Sequence, residues 1–222
     1  MCKRIFCGLL VGFIITGCTY HGQIRRGLYV QPPLPDRINA SVLVVTDRNV
    51  PREITVADPG NDSQLFVLQT ADGVAVAATD ALGTLFTRAE AGSIALQAQY
   101  DFIAQVTLAS SITSTSCQNT PLPPQEPGLC TLVSVSISPV GREKVQVTAQ
   151  DTRWKPFRTP GVASSVRWLD KHTRIFFPIL APWYVQTQGN NLRNQFEQNL
   201  TEALQHITEE LSQRRTAFTA VP

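Results

Sequence analysis

Thr131-Leu132-Val133-Ser134-Val135-Ser136-Ile137-Ser138 is the stretch that decides the fold class. Val133, Val135 and Ile137 alternate with three serines, so a strand here puts aliphatic side chains on one face and hydroxyls on the other. The flanking segments repeat the period. Tyr100, Phe102, Ala104, Val106 and Leu108 alternate with more polar neighbours over 100–109, and Val145, Val147 and Ala149 do so over 143–150. Three such strands in succession imply an antiparallel sheet with one buried and one wet face. Pro139-Val140-Gly141 supplies one turn, and the proline-rich stretch 118–129, which includes Pro-Leu-Pro-Pro-Gln-Glu-Pro-Gly, supplies the other.

Working outward, Ser41-Val42-Leu43-Val44-Val45-Thr46 is nearly continuous in apolarity, as strands buried on both faces are. Ile54–Ala57 and Leu65–Gln69 are shorter runs around Asp58-Pro59-Gly60-Asn61-Asp62-Ser63, which predicts a hairpin. Ala78, Leu82, Leu85, Phe86 and Ala89 recur at helical spacing, with Gly92 as a stop and Gly83 as a weak point. Leu192, Phe196, Leu200, Ala203, Leu204, Ile207 and Leu211 form one apolar stripe, which predicts a helix over 191–215 opened by Gly189-Asn190-Asn191. Two amphipathic helices on one face of a half-wet sheet give an α+β, two-layer sandwich with a mainly antiparallel sheet. This domain is expected over 41–215, followed by a flexible tail over 216–222.

The N-terminus points to a compartment. Lys3 and Arg4 precede the uncharged apolar run Ile5–Ile15, the layout of a secretory signal peptide over 1–17, too short to span a bilayer. Ile15-Thr16-Gly17-Cys18 resembles a bacterial lipobox, which implies fatty-acyl chains such as palmitate on Cys18. Two or three chains suffice for stable anchoring. Thr19 in place of an aspartate, by resemblance to enterobacterial lipoproteins, favours the periplasmic face of the outer membrane. Residues 18–40, with Gln31-Pro32-Pro33-Leu34-Pro35, are expected to be a lipidated tether.

The cysteines then sort themselves. Cys2 and Cys7 leave with the signal and Cys18 carries lipid, so Cys117 and Cys130 remain as a pair in an oxidising compartment. A disulfide closing the 117–130 loop is the expectation. Two cysteines with no histidine beside them are too few for a metal site. The formal charge is +2 over 222 residues, and Lys3 and Arg4 account for both charges. A neutral mature chain disfavours nucleic-acid binding, and 43% hydrophobic with 16% charged residues disfavours wholesale disorder.

No catalytic constellation emerges. The chain has no HExxH, GxSxG, Walker A or GxGxxG motif. His206 has Glu202 and Glu210 at i−4 and i+4, which more often marks a solvated helix flank than a metal site. His21 falls in the tether and His172 in a polar loop. Ser164 and Ser165 have no identifiable base. No enzyme activity, metal or cofactor is expected. The segment 157–188 breaks the pattern. Its core, Phe176-Phe177-Pro178-Ile179-Leu180-Ala181-Pro182-Trp183-Tyr184, is aromatic and apolar, and its prolines argue against a regular helix. It reads either as an exposed loop that docks a partner or the lipid interface through Phe176, Phe177, Trp183 and Tyr184, or as a β-arm over the core.

The lipobox together with the order of strand, hairpin, helix, three strands and helix resembles the small bacterial lipoproteins of the YajG type. More loosely it resembles periplasmic domains of the TolB N-terminal or CsgG kind. The resemblance rests on Ser41–Asp47, the helix ending near Gly92, the strand from Tyr100 and the helix Asn191–Arg215. It implies an envelope location and no active site. The functional expectation is a lipid-anchored envelope protein that acts by binding, as an accessory or scaffold subunit of a secretion, transport or surface-organelle assembly. The alternative is a periplasmic carrier of a small apolar or lipid ligand.

Overall fold

The computed structural model describes residues 19–29, 31–47, 50–58, 61–113, 117, 128–141, 147–156 and 177–219. The signal peptide, Cys18, Phe176, His172, Ser164, Ser165 and the rest of 157–176 lie outside the described residues.

The chain folds as α+β. In order it forms β1 (Thr19–Gln23), β2 (Ile38–Thr46), β3 (Glu53–Asp58), β4 (Asn61–Gln69), α1 (Ala71–Leu85), β5 (Phe86–Ala91), a 3-10 helix (Ile94–Gln99), β6 (Phe102–Thr113), β7 (Gly128–Pro139), β8 (Val147–Pro156), α2 (Phe177–Gln213) and α3 (Thr216–Thr219). Five strands form one sheet in the order β5-β2-β6-β7-β8, and β1-β4-β3 form a second. The alternation read from 100–109 and 131–138 places Phe102, Ala104, Val106, Val133, Val135 and Ile137 in the core, while Ser134, Ser136 and Ser138 line the other face. β7 is antiparallel to both β6 and β8. β2 pairs parallel with both β5 and β6, which its continuous apolarity suits, because Val42, Leu43 and Val44 are all buried. The expected hairpin forms between β3 and β4, but in the smaller sheet.

Five sequence expectations are corrected. The sheets are mixed and not mainly antiparallel, because β1–β4, β2–β5 and β2–β6 are parallel pairings. The stretch 18–40 is not a free tether: Thr19–Gln23 pairs parallel with Leu65–Gln69, and Tyr20, Ile24 and Tyr29 are buried. The first helix ends at Leu85, and Phe86 and Ala89 belong to strand β5. Phe86 is extended, at φ −100° and ψ 152°, and it sits against Phe102 and Phe218. The last helix starts at Phe177, fourteen residues before Asn191, so Phe177–Gln188 is neither loop nor β-arm. Pro178 stands in the first turn, where its missing N–H had no intrahelical acceptor. Pro182 removes one further bond. The tail is anchored as well: Thr216–Thr219 is helical, and Phe218 packs edge-on against Phe86 and Phe102 at 5.5 and 5.6 Å.

α2 has 37 residues, about 55 Å at 1.5 Å per residue. It is long enough to serve both sheets. Asn199 Nδ2 donates to the Leu129 carbonyl on β7 at 3.1 Å, and Lys155 on β8 pairs with Glu202 at 2.7 Å. Nearer its start, the helix packs on β1 of the smaller sheet.

Candidate interaction surfaces

Tyr20 and Arg25 fix how β1 meets α2. The Tyr20 hydroxyl donates to Asn190 Oδ1 at 3.0 Å. Its ring occupies the space where a Cβ at Gly189 would fall, 2.1 Å from Tyr20 Cγ. Five residues on, Glu197 accepts from the Arg25 backbone N–H at 2.9 Å and from Arg25 Nε at 2.7 Å, with Nη2 closing the pair. Glu197 is 3% exposed and Arg25 60%. This fork raises the Arg25 guanidinium above its ordinary value, through the hydrogen bond to Glu197 first and the opposite charge second. Tyr20 meets 189–190 and Arg25 meets 194–197, so β1 and α2 run in the same direction.

Cys18 precedes Thr19 by one peptide bond, about 3.8 Å between Cα atoms. The lipidation candidate therefore immediately precedes, in sequence, a strand built into a sheet. Trp183, six residues before Gly189 on α2, is 43% exposed, whereas Tyr184 is 5% exposed and Val185 is buried. Of the four aromatics singled out in sequence, Trp183 faces solvent and Tyr184 belongs to the core, which removes Tyr184 as a partner contact. The Phe177 backbone is helical, and Phe176 lies outside the described residues.

A second surface lies at a sheet edge. β5 is an edge strand, and the 3-10 helix that follows carries Ile94 at 60% and Leu96 at 44% exposure. Arg88 Nε donates to Glu90 Oε1 at 2.7 Å, the Tyr100 hydroxyl donates to Glu90 Oε2 at 2.6 Å, and the Arg88 guanidinium lies 4.9 Å from the Tyr100 ring centroid. Those bonds, Arg88's first, hold the Glu90 carboxyl below its ordinary value. An apolar centre beside a charged border is the make-up of a protein-binding patch. Ile94 and Leu96 had no periodic signal in sequence, and only their position after Gly92 set them apart.

A groove of ≈ 610 Å³ lies between the sheets, lined by Arg26, Arg52, Glu53 and Asp72 together with Gln23 and Gln69. Two cations and two anions make it polar and balanced, not apolar. The Glu202–His206–Glu210 trio is divided among other partners: Glu202 on Lys155, Glu210 on Arg214, and His206 Nδ1 3.4 Å from Asp151 Oδ1. His21 is exposed on β1. Cys117 and Cys130 stand in disulfide geometry, with Cα atoms 5.7 Å apart. β7 pairs Cys130 with Trp154 of β8, whose indole lies over Gly128.

A solved structure shares this architecture. It is the crystal structure of a protein from Xanthomonas campestris described by the DUF330 family model, with a TM-score of 0.50 over 92% of this chain and 99% of that one. At 12% identity the likeness shows the fold alone. No protein-family model matches the chain, and neither does any curated protein.

Proposed function

We propose that the protein is a lipoprotein anchored through Cys18 at the periplasmic face of the outer membrane, where it acts by binding as an accessory or scaffold subunit of an envelope assembly. One observation carries the reading. β1 begins at the residue after the lipobox cysteine and is locked to β4 and α2. An anchor at Cys18 then holds a folded domain against the bilayer with no slack, the arrangement a scaffold needs and a tethered shuttle does not. The partner surface we assign is the β5 edge with Ile94 and Leu96. The free backbone of an edge strand offers strand addition, and the two aliphatics offer apolar contact. The charged lining of the inter-sheet groove favours this reading over carriage of an apolar ligand.

Cys18→Ala should move the protein from the membrane to the soluble periplasmic fraction. Ile94→Glu combined with Leu96→Glu should leave it anchored and folded but unable to co-purify with its assembly. A Cys18→Ala protein that stays on the membrane defeats the anchor. A doubly charged variant that keeps its partner defeats the β5 surface.

A further inference from the structure

Among the described residues, β5 has β2 on one side and no strand on the other. The Gly92 N–H donates to the Val44 carbonyl of β2 at 3.1 Å. In the parallel register that sets Arg88 on Ser41 and Glu90 on Leu43, Arg88 and Glu90 also turn their backbone groups to β2. Thr87, Ala89 and Ala91 therefore turn their N–H and C=O groups outward from the sheet edge. The side chains alternate as well. Ala89 faces α1, where its Cβ lies 3.9 Å from the place of a Cβ at Gly83. Arg88 and Glu90 share the opposite face, both half-exposed and joined at 2.7 Å.

Resting on the reading of the β5 edge as the partner surface, we propose that its partner is a second copy of this chain, paired antiparallel across a two-fold axis at Ala89. Such an axis sets Ala89 against Ala89, Thr87 against Ala91, and Arg88 against Glu90 of the second copy. Thr87, Ala89 and Ala91 then exchange their outward backbone groups. Arg88 and Glu90 fall at the positions without hydrogen bonds, where Cα atoms approach to about 4.5 Å. Each guanidinium lies between the carboxylate of its own chain and that of the other, so the edge is complementary in charge to itself. No other two-fold along β5 does this. An axis at Arg88 or Glu90 sets like charges face to face, and one at Thr87 or Ala91 sets neither charge opposite its counterpart. The axis at Ala89 also brings position 94 level with position 84 of the second copy. Ile94 and Leu96 stand exposed past one end of β5. Leu34, also exposed, donates its N–H to the Thr84 carbonyl at 3.0 Å before the other end. Antiparallel pairing thus brings aliphatic end to aliphatic end twice and joins the two five-stranded sheets edge to edge.

The test uses the full mature chain, purified in detergent with two different tags, mixed, and captured through one of them. Wild type should retain wild type. Arg88→Glu and Glu90→Arg should each lose retention of their own kind, an affinity drop of about tenfold or more for two cross-strand pairs turned repulsive. Arg88→Glu mixed with Glu90→Arg should regain it, because the acids of one copy then face the guanidinium groups of the other. Mixing cannot rebuild the Arg88–Glu90 pair within a chain, so the rescue separates an interface from an effect on the fold. Wild-type copies that do not retain one another overturn the self-pairing. So does retention unchanged by either reversal, or a mixed pair that stays apart. If in that event Ile94→Glu with Leu96→Glu still releases other envelope proteins, the β5 surface stands with a different partner. If the copies follow the charge pattern while that variant keeps its assembly, the self-pairing stands and the assembly docks elsewhere.

Discussion

The ring of Tyr20 lies in the space that a side chain at Gly189 would fill, with a Cβ there 2.1 Å from Tyr20 Cγ. Gly189 sits inside a 37-residue helix, where glycine ordinarily costs about 1 kcal/mol relative to alanine. Here the missing Cβ lets β1 dock. Gly189→Ala should therefore destabilise, by about 1–3 kcal/mol of overpacking, against the sign of helix propensity. Chemical denaturation of the purified domain reads this directly. A variant as stable as wild type would mean that the Tyr20 ring can swing aside without loss.

Gly83 is the control for that argument. It too lies in a helix, but a Cβ there would meet only Ala89 Cβ, at 3.9 Å, an ordinary contact. Gly83→Ala should stabilise by about 0.5–1 kcal/mol, or about 2–4 °C per kcal/mol in Tm for a chain of this size. Calorimetry of the two alanine variants side by side should give shifts of opposite sign.

Glu197 joins the N-terminal segment to α2. It is almost fully buried and takes both the Arg25 backbone N–H and its guanidinium, with Arg193 Nε 3.9 Å away. Glu197→Ala leaves that N–H without its acceptor and Arg193 without its counter-charge, a loss of about 2–4 kcal/mol. Arg25→Ala should cost less, because Arg25 is mostly solvated and Arg193 remains beside the carboxylate. Denaturant midpoints for the two variants test the order. Arg25→Ala as damaging as Glu197→Ala would place the weight on the exposed partner.

What could be read from the chain followed from repetition. Val133, Val135 and Ile137 repeat every two residues, and Leu192 to Leu211 repeat at helical spacing over some five turns, so those faces were legible. β1 buries Tyr20, and Ile24 follows just past its end, two residues after Gly22, too few positions to establish a period, and its partner β4 lies more than forty residues away. Phe218 is a single aromatic in a polar tail, and only the tertiary fold shows the space between Phe86 and Phe102 that it fills. The start of α2 was obscured by a rule applied without position: proline opposes a helix interior but not a first turn, where Pro178 stands, and Pro182 costs the helix one bond without ending it. At the candidate surfaces, the aromatic content of Trp183 was visible, while its exposure and the burial of Tyr184 depend on which way the helix faces. Ile94 and Leu96 left no signal beyond their place after an edge strand.

Asp101 ties β6 to β2 before their ladder begins. Its carboxylate accepts from the Ser41 N–H at 2.8 Å and the Ser41 hydroxyl at 2.7 Å. The backbone bond first, then the hydroxyl, holds the Asp101 carboxyl below its ordinary value. A carboxyl depressed on folding stabilises the protein at pH values above its unfolded value, near 4. That contribution is lost as pH falls through the lower folded value. Asp101→Ala should cost about 1 kcal/mol at neutral pH, discounted for an exposed site, and the gap from wild type should close as pH falls through the lowered folded value. A gap that stays constant down to acid pH would mean that Ser41 does not favour the charged form.

The pairing of β6 with β7 runs out at Thr113 opposite Gly128, and Cys117, four residues past that point, returns to Cys130 within β7. In the chain-entropy account, closing a loop of 13 residues is worth about 3 kcal/mol. Reduction, or Cys117→Ser with Cys130→Ser, should then lower Tm by about 6–12 °C. The loss should also be local before it is global. The bridge restrains the open end of the ladder, so amide exchange should rise first at Ser110–Thr113 and Gly128–Thr131, while Phe102–Val106 keeps its protection. A reductant should shift the wild type and leave the double serine variant unmoved. Equal shifts in both would mean that the two thiols are not joined in the folded protein.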